Sequence, residues 1–368
     1  MKRLYINTLL RKALLLGLLL GIAMPANTRG HRIPHRLAAA KKQKSTVQTN
    51  MDSMPIKITT PALLSAETDN NDEVETDTLI PVKDSMPSSF LFTKENTITR
   101  AEKLDSFFSK LTGKKEPARI VHLGDSHLRG HILPLVIRHR LETAWGDQAV
   151  RPDHITYRTD ALATETGKPG FVYHAWGKNG ATCSYFCVPQ RIARVKSLKP
   201  DVIILSFGTN EAHVRRYNAD QHLKTLSQLV NMLQAACPQA TIMLTTPQGA
   251  YYSYRVAHYR TVRKNRRTVT RRYFTYYRTV NKNTQLAVNT INSFAEKNDL
   301  PVWDLYNIAG GSGFACLNWV GGNYMKGDRI HFTAAGYTLQ GNLLSQAMIK
   351  AYNQYITRKK GNGHTIKH

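Results

Sequence analysis

Apolar runs and helical spacings alternate through the second two-thirds of the chain. Ile120 to Leu123, Val202 to Leu205, Thr241 to Thr245 and Leu300 to Leu305 read as short buried strands, rich in β-branched residues and bounded by turn formers. Helical spacing appears between and after them. Leu133 to Trp145 offers Leu135, Val136, Ile137 and Leu141 as core positions. Asp220 to Ala236 carries leucines at 223, 226, 229 and 233, and Leu286, Ile291, Phe294 and Ala295 mark a helix ending near Asn298. Thr333 reads as the N-cap of a last helix reaching about Tyr355. Ahead of the first strand, residues 99–112 are also helical in pattern, with Thr99 as a cap and Leu104, Phe107, Phe108 and Leu111 on one face. Strands alternating with helices predict a three-layer α/β/α sandwich around a central parallel sheet.

Three stretches fall outside this rhythm. Residues 146–175 read as irregular, with some strand character. Residues 27–98 lack sustained apolar periodicity, begin basic, turn acidic between Asp69 and Asp77, and read as a tether or disordered arm. Within it, Ser89-Phe90-Leu91-Phe92 is apolar enough to dock on the domain. Residues 251–283 are rich in tyrosine and arginine and contain no acidic residue. This insertion follows a strand's C-terminal end. Two readings stay open for it: a lid gripping an anionic polymer, with Tyr251 and Arg255 as candidate substrate contacts, or a solvated basic hairpin or coil. The remaining plan is an expected domain over 99–358 and a basic tail over 359–368.

The net charge of +26 favours anionic partners such as cell-wall polymers, anionic lipid or nucleic acid, and says nothing about fold. Basic composition with aromatics also fits nucleic-acid binding, but nucleic acid is not the expected partner. At the N-terminus, Lys2, Arg3, Arg11 and Lys12 precede a short apolar core over 13–24, and small residues at Gly21, Ala23 and Ala26 offer cleavage sites. Residues 1–26 therefore read as an export signal, too short for a comfortable membrane span, and predict a periplasmic or cell-envelope location, with an uncleaved anchor as the alternative. Four cysteines, Cys183, Cys187, Cys237 and Cys316, suggest disulfides in an exported chain, with buried thiols as the other reading. Their spacing matches no metal-ligand pattern, and neither metal nor cofactor is expected.

The candidate chemistry lies at the strand ends. Gly124-Asp125-Ser126-His127 follows the first strand, where an open α/β sheet binds its ligands. Ser126 is the candidate nucleophile and needs a neighbouring base. Among fourteen histidines, His331 stands out, because Asp328 lies three residues earlier and can hold its imidazole. His122 reads as a buried strand residue, His213 as a rim residue, and Asp125 as a loop tie.

Ser126, Gly180 in Gly177-Lys178-Asn179-Gly180-Ala181-Thr182, Asn210 in Ser206-Phe207-Gly208-Thr209-Asn210-Glu211, and His331 in Asp328-Arg329-Ile330-His331 form an ordered set. This set resembles the four blocks of the SGNH hydrolase (GDSL-like esterase) superfamily over about residues 117–355. The flanking residues are most similar to its peptidoglycan O-acetylesterase branch. The resemblance implies a flavodoxin-like SGNH hydrolase fold and a Ser126–His331–Asp328 triad. It also implies an oxyanion hole from the Ser126 and Gly180 N–H groups and the Asn210 amide. The implied activity is cofactor-free removal of O-acetyl groups from carbohydrate, O-acetylated peptidoglycan foremost. His127 and Glu211 are further candidate substrate contacts; Glu211 also reads as a residue that orients its loop, with no catalytic role assigned. A lipase- or thioesterase-like hydrolase and a non-catalytic surface-binding protein remain as alternatives.

Overall fold

The computed structural model of the chain describes residues 78–83, 85–130, 132–152 and 161–364. The expected export signal, most of the expected arm and the end of the tail lie outside these residues. Seven strands are present among them: β1 (Pro117–Gly124), β2 (Gly170–Gly177), β3 (Val202–Ser206), β4 (Thr241–Thr245), β5 (Tyr251–Lys264), β6 (Arg267–Val280) and β7 (Val302–Trp303). Five form one parallel sheet in the order β2-β1-β3-β4-β7. The longer helices are α1 (Asp105–Gly113), α2 (Ile132–Trp145), α3 (Pro189–Ser197), α4 (Ala219–Ala236), α5 (Asn283–Lys297), α6 (Gly311–Gly321) and α7 (Ala334–His364).

Strand periodicity sorts the core into two halves. Ala118, Ile120, Val202, Ile204 and Met243 point to one face of the sheet, where they meet α1, α2 and α7. Val121, Leu123, Ile203, Leu205, Ile242 and Leu244 point to the other, against α3, α4 and α5. Strands buried on both faces read as continuous apolar runs, which is why β1, β3 and β4 stand out in the sequence. Phe107 and Phe108 on α1 are fully enclosed, and each contributes roughly 2 kcal/mol by burial.

The structure revises three expectations. β2 lies in the stretch that reads as irregular, and it is buried along its whole length. Its polar residue His174 is buried too, held by Glu165 at 3.2 Å. Thr99 is not a helix cap. It forms a bridge with Val302 (N–H to carbonyl 2.9 Å), and α1 starts after a 3₁₀ turn over Ala101–Leu104. Chain ahead of residue 99 also belongs to the folded body. Phe90 packs edge-on against Trp319 at 5.1 Å, the Asn96 amide donates to the Leu343 carbonyl (2.8 Å), and Ile80 exchanges hydrogen bonds with Asn353 on α7.

β5 and β6 form a separate two-stranded antiparallel sheet. The central order reverses direction between β1 and β3, so the crevice at their C-terminal ends is where this topology places a ligand.

Candidate active site

β1 ends at Gly124, level with Gly177 of β2 and Ser206 of β3. The chain then turns sharply into a short helical turn, Ser126–Arg129. Asp125 caps it, its Oδ1 accepting from the His127 N–H at 2.9 Å. The turn rests directly on Gly177: a Cβ there would lie 2.3 Å from the Arg129 nitrogen. Only glycine permits that approach. Ser126 is thereby left half-exposed at the end of a central strand.

The loop before α7 delivers the second part. Asp328 Oδ1 accepts from the N–H groups of Ile330 and His331, both at 2.9 Å, and Arg329 between them has a left-handed φ of 59°. The tight loop turns His331 towards Asp328. His331 Nδ1–H donates to Asp328 Oδ2 at 2.8 Å, which leaves Nε2 to accept from the Ser126 hydroxyl at 3.0 Å. Burial pushes the Asp328 carboxyl upwards, but the Ile330 N–H and the His331 side chain and N–H outweigh it and hold it below the usual range. The three residues are thus aligned for proton transfer from hydroxyl to imidazole.

Asn210 joins two blocks. Its Nδ2 donates to the Ala181 carbonyl at 2.9 Å and to Asp125 Oδ2 at 3.3 Å, next to Gly180 and Ser126 respectively. The Asn210 amide is therefore engaged with protein groups. Gly180 has φ +71°, and a Cβ there would meet open space, so backbone conformation accounts for the glycine.

The other candidate contacts have partners of their own within the fold. Glu211 commits one carboxylate oxygen to the Cys183 N–H (2.8 Å) and the other to the Gly208 N–H (2.9 Å), tying the second and third blocks together. His127 is buried beside His331, near Tyr337 Oη (3.1 Å), with its ring 5.5 Å from that of His331. Tyr251 is half-buried and packs on the core, while Arg255 stands out on β5 over the Phe274 ring at 4.5 Å. His213 is half-buried against Tyr252, their rings 5.6 Å apart.

Sequence reasoning missed two supports of this site. One is Gly177, which belongs to a strand rather than a loop. The other is a buried hydrogen-bonded row, Tyr173–His122–Ser206–Thr245, with spacings of 2.7, 2.6 and 2.8 Å. The glycine-bounded, aromatic run at 170–177 was the available signal for the first; nothing local announces the second.

The four cysteines are free thiols, not disulfides. Cys187 Sγ faces the Cys183 and Thr225 carbonyls and Cys316 Sγ faces the Ala250 carbonyl. Burial pushes the Cys316 thiol up to about 12. Among the described residues, Cys183, Glu211 and His222 could hold a metal ion, with ligand atoms within 4.8 Å of one another. Burial and the neighbouring Glu211 carboxylate raise the Cys183 thiol well above its ordinary range.

Burial gives the site a distinctive pH signature. It pushes the Asp125 carboxyl up to about 7, only partly offset by the His127 N–H, and pushes the His122 and His127 imidazoles down to about 3. The folded state binds the Asp125 proton more tightly than the unfolded chain, so that contribution is present at low pH and is lost as pH rises from about 4 to about 7. The two histidines act oppositely: they hold stability back at low pH and release it as pH rises towards 6.5. Asp125→Asn is therefore expected to cost more stability at pH 4 than at pH 7. Urea denaturation of both proteins across that range measures the difference, and a pH-independent difference would contradict the assignment.

A family model for the GDSL-like lipase/acylhydrolase family matches residues 123–339, a span that holds all four blocks. A solved structure of a peptidoglycan O-acetylesterase superposes with a TM-score of 0.53 at 17% identity, covering 69% of this chain and 96% of that one. A GDSL-like lipase from Bacteroides thetaiotaomicron VPI-5482 gives TM-score 0.38 at 17% identity, covering 68% and 99%. A carbohydrate esterase family 3 protein from Talaromyces cellulolyticus gives 0.39 at 16% identity, covering 64% and 98%. These last two superpose too loosely to bear on the fold. No curated protein matches the chain by sequence. With its blocks inside the matched span and its sheet in the same parallel α/β/α arrangement, the chain belongs to the GDSL-like lipase/acylhydrolase family.

Proposed function

We propose that this protein is an exported serine esterase that removes O-acetyl groups from carbohydrate, with O-acetylated peptidoglycan as substrate. The observation that carries the reading is the continuous path Ser126 Oγ–His331 Nε2 (3.0 Å) and His331 Nδ1–Asp328 Oδ2 (2.8 Å). In the proposed reaction Ser126 Oγ attacks the acetyl carbonyl carbon as His331 takes the hydroxyl proton. The N–H groups of Ser126 and Gly180 receive the oxyanion. Asn210 joins them by releasing its longer contact, the one at 3.3 Å to Asp125. The tetrahedral intermediate collapses, and the sugar oxygen leaves with the proton from His331. Water then attacks the acetyl-serine, again giving its proton to His331; the acyl carbon–Oγ bond breaks, His331 returns the proton to Ser126 Oγ, and acetate departs. Asp328 stabilises the imidazolium at both steps.

The substrate class is supported by the peptidoglycan O-acetylesterase neighbour and by the strong positive charge, which suits an anionic polymer. Export rests on the N-terminal pattern alone. Among the described residues, no helix is long and apolar enough to cross a membrane. Acetate release from O-acetylated peptidoglycan is expected to exceed release from O-acetylated xylan. Equal or greater release from xylan would remove the cell-wall assignment. Faster cleavage of 4-nitrophenyl octanoate than of the acetate would favour a lipase-like enzyme instead.

A further inference from the structure

The β5–β6 ribbon is an odd object for a chain to build. Each strand has 14 residues, and the two pair with each other from Tyr251↔Val280 to Lys264↔Arg267. At about 3.4 Å per residue the ribbon extends for roughly 45 Å. An isolated two-stranded hairpin is marginally stable in water, and like charges opposite one another weaken it further. Yet Arg260 faces Arg271. At the tip, Asn265 and Arg266 both have left-handed φ, 49° and 61°. Asparagine tolerates that conformation well, but the second position favours glycine, and arginine there costs about 1 kcal/mol. No acidic residue between 251 and 283 offsets any of this charge.

Ring contacts supply the cohesion. Tyr254 stacks on Tyr277 at 5.5 Å and His258 on Tyr273 at 5.1 Å, each pair within 21° of parallel. The opposite face interleaves cations with rings: Arg255 opposite Tyr276, Phe274 next along it, then Tyr259 opposite Arg272. Both guanidiniums lie over Phe274, at 4.5 and 4.7 Å. Tyr276 and Tyr259 are open to solvent, 72% and 66% exposed, while Phe274 is half-buried under the two guanidiniums.

The root of the ribbon is set into the catalytic rim. The Tyr251 N–H donates to the Arg329 carbonyl at 2.9 Å, inside the Asp328–His331 loop. At the other strand's end, the Asn281 amide donates to the Ala212 carbonyl (3.0 Å) and the Asn283 amide to the Val214 carbonyl (2.7 Å), on the Asn210 side. Whatever lies along the ribbon arrives between the loop of His331 and the turn of Asn210.

We infer that β5–β6 is a binding arm for an anionic polysaccharide, which it holds so that the chain crosses the Ser126 rim; this rests on the esterase reading above. Sugar rings stack their C–H faces on Tyr259 and Tyr276, and uronate or peptide carboxylates pair with the guanidiniums of Arg255 and Arg272, which Phe274 holds in place. A second copy of the chain is a poor occupant, because its own ribbon carries the same sign of charge.

The test compares the full chain with two variants. In one, residues 253–278 are replaced by an Asn-Gly turn that keeps the two root pairs. The other is the double variant Arg255→Glu with Arg272→Glu, which keeps the ribbon. Two readouts are taken: affinity for polygalacturonate, with dextran as neutral control, and the ratio of kcat/KM on O-acetylated polymer to that on 4-nitrophenyl acetate. Both variants are expected to lose about ten-fold in polygalacturonate affinity and in that ratio at low salt, the difference shrinking as salt screens the charges. Unchanged polygalacturonate affinity in both variants would overturn the inference. So would tighter binding of the intact chain to duplex DNA or to phosphatidylglycerol vesicles than to polygalacturonate. If the intact chain binds polygalacturonate through the ribbon but cleaves neither ester, the esterase reading fails and the arm stands.

Discussion

Ser126→Ala is expected to lower kcat for acetyl-ester hydrolysis by about 10⁴-fold or more while leaving the fold intact. The side chain makes one hydrogen bond, to His331 Nε2, so its loss removes the attacking oxygen and leaves the packing beneath it unchanged. The helical turn that presents it is held by backbone contacts: Arg129 N–H to the Asp125 carbonyl at 3.0 Å, and the bare face of Gly177. Thermal unfolding of the variant should therefore match the parent within about 2 °C. His331→Ala should produce a loss of similar size, and the double variant should be hardly worse than either single one, because the two groups act as one unit. Acetate release, measured with protein purified away from host esterases, checks all three. Activity of Ser126→Ala within ten-fold of the parent would exclude the serine as nucleophile and move the reading towards a binding protein.

How far the sequence carries this far depends on whether each signal is local. β1, β3 and β4 are legible because a strand covered on both faces is apolar throughout. β2 is equally covered, but the partners of its buried His174, Glu165 and the Ala163 N–H, sit in the irregular chain before it. The Asp-x-x-His loop is legible for a comparable reason: both partners of the 2.8 Å contact lie within one turn. Glu211 was legible in part: its role in orienting the loop follows from Gly208 close by in sequence, whereas its bond to Cys183 exists only because folding brings that residue near. Asp125 is similar, since its raised pKa is a property of complete burial and has no local signature. The cysteines stayed open between disulfides and buried thiols in the sequence, because an even count speaks to compartment whereas pairing is a matter of distance. The Tyr/Arg insertion was visible by composition, but its ribbon form depends on the stacking of Tyr254 on Tyr277 and His258 on Tyr273, pairs separated by the whole tip.

Asp328→Asn tests the remaining leg of the site, and here the effect is expected through hydrogen direction rather than lost contact. The amide oxygen of the replacement can still accept from the Ile330 and His331 N–H groups, both at 2.9 Å in the parent, so the loop should keep its shape. What changes is the atom facing His331 Nδ1: a carboxylate oxygen that accepts becomes an NH₂ that donates. His331 must then turn its lone pair to Nδ1 and carry its proton on Nε2, the nitrogen 3.0 Å from Ser126 Oγ, where it can no longer take the hydroxyl proton. The negative charge that stabilises an imidazolium is removed at the same time. Together these should reduce kcat by about 10³- to 10⁴-fold with little change in KM. The carboxyl's low pKa adds a stability effect of known sign. Because Asp328 is held below its ordinary range in the fold, its contribution is present above that range and is lost as pH falls through the folded value. The parent should therefore lose its stability advantage over Asp328→Asn on acidification, the reverse of the Asp125 pattern. A variant that kept near-parental kcat at neutral pH would mean that His331 does not need this partner to hold its tautomer, and the three-residue relay would reduce to a Ser126–His331 pair.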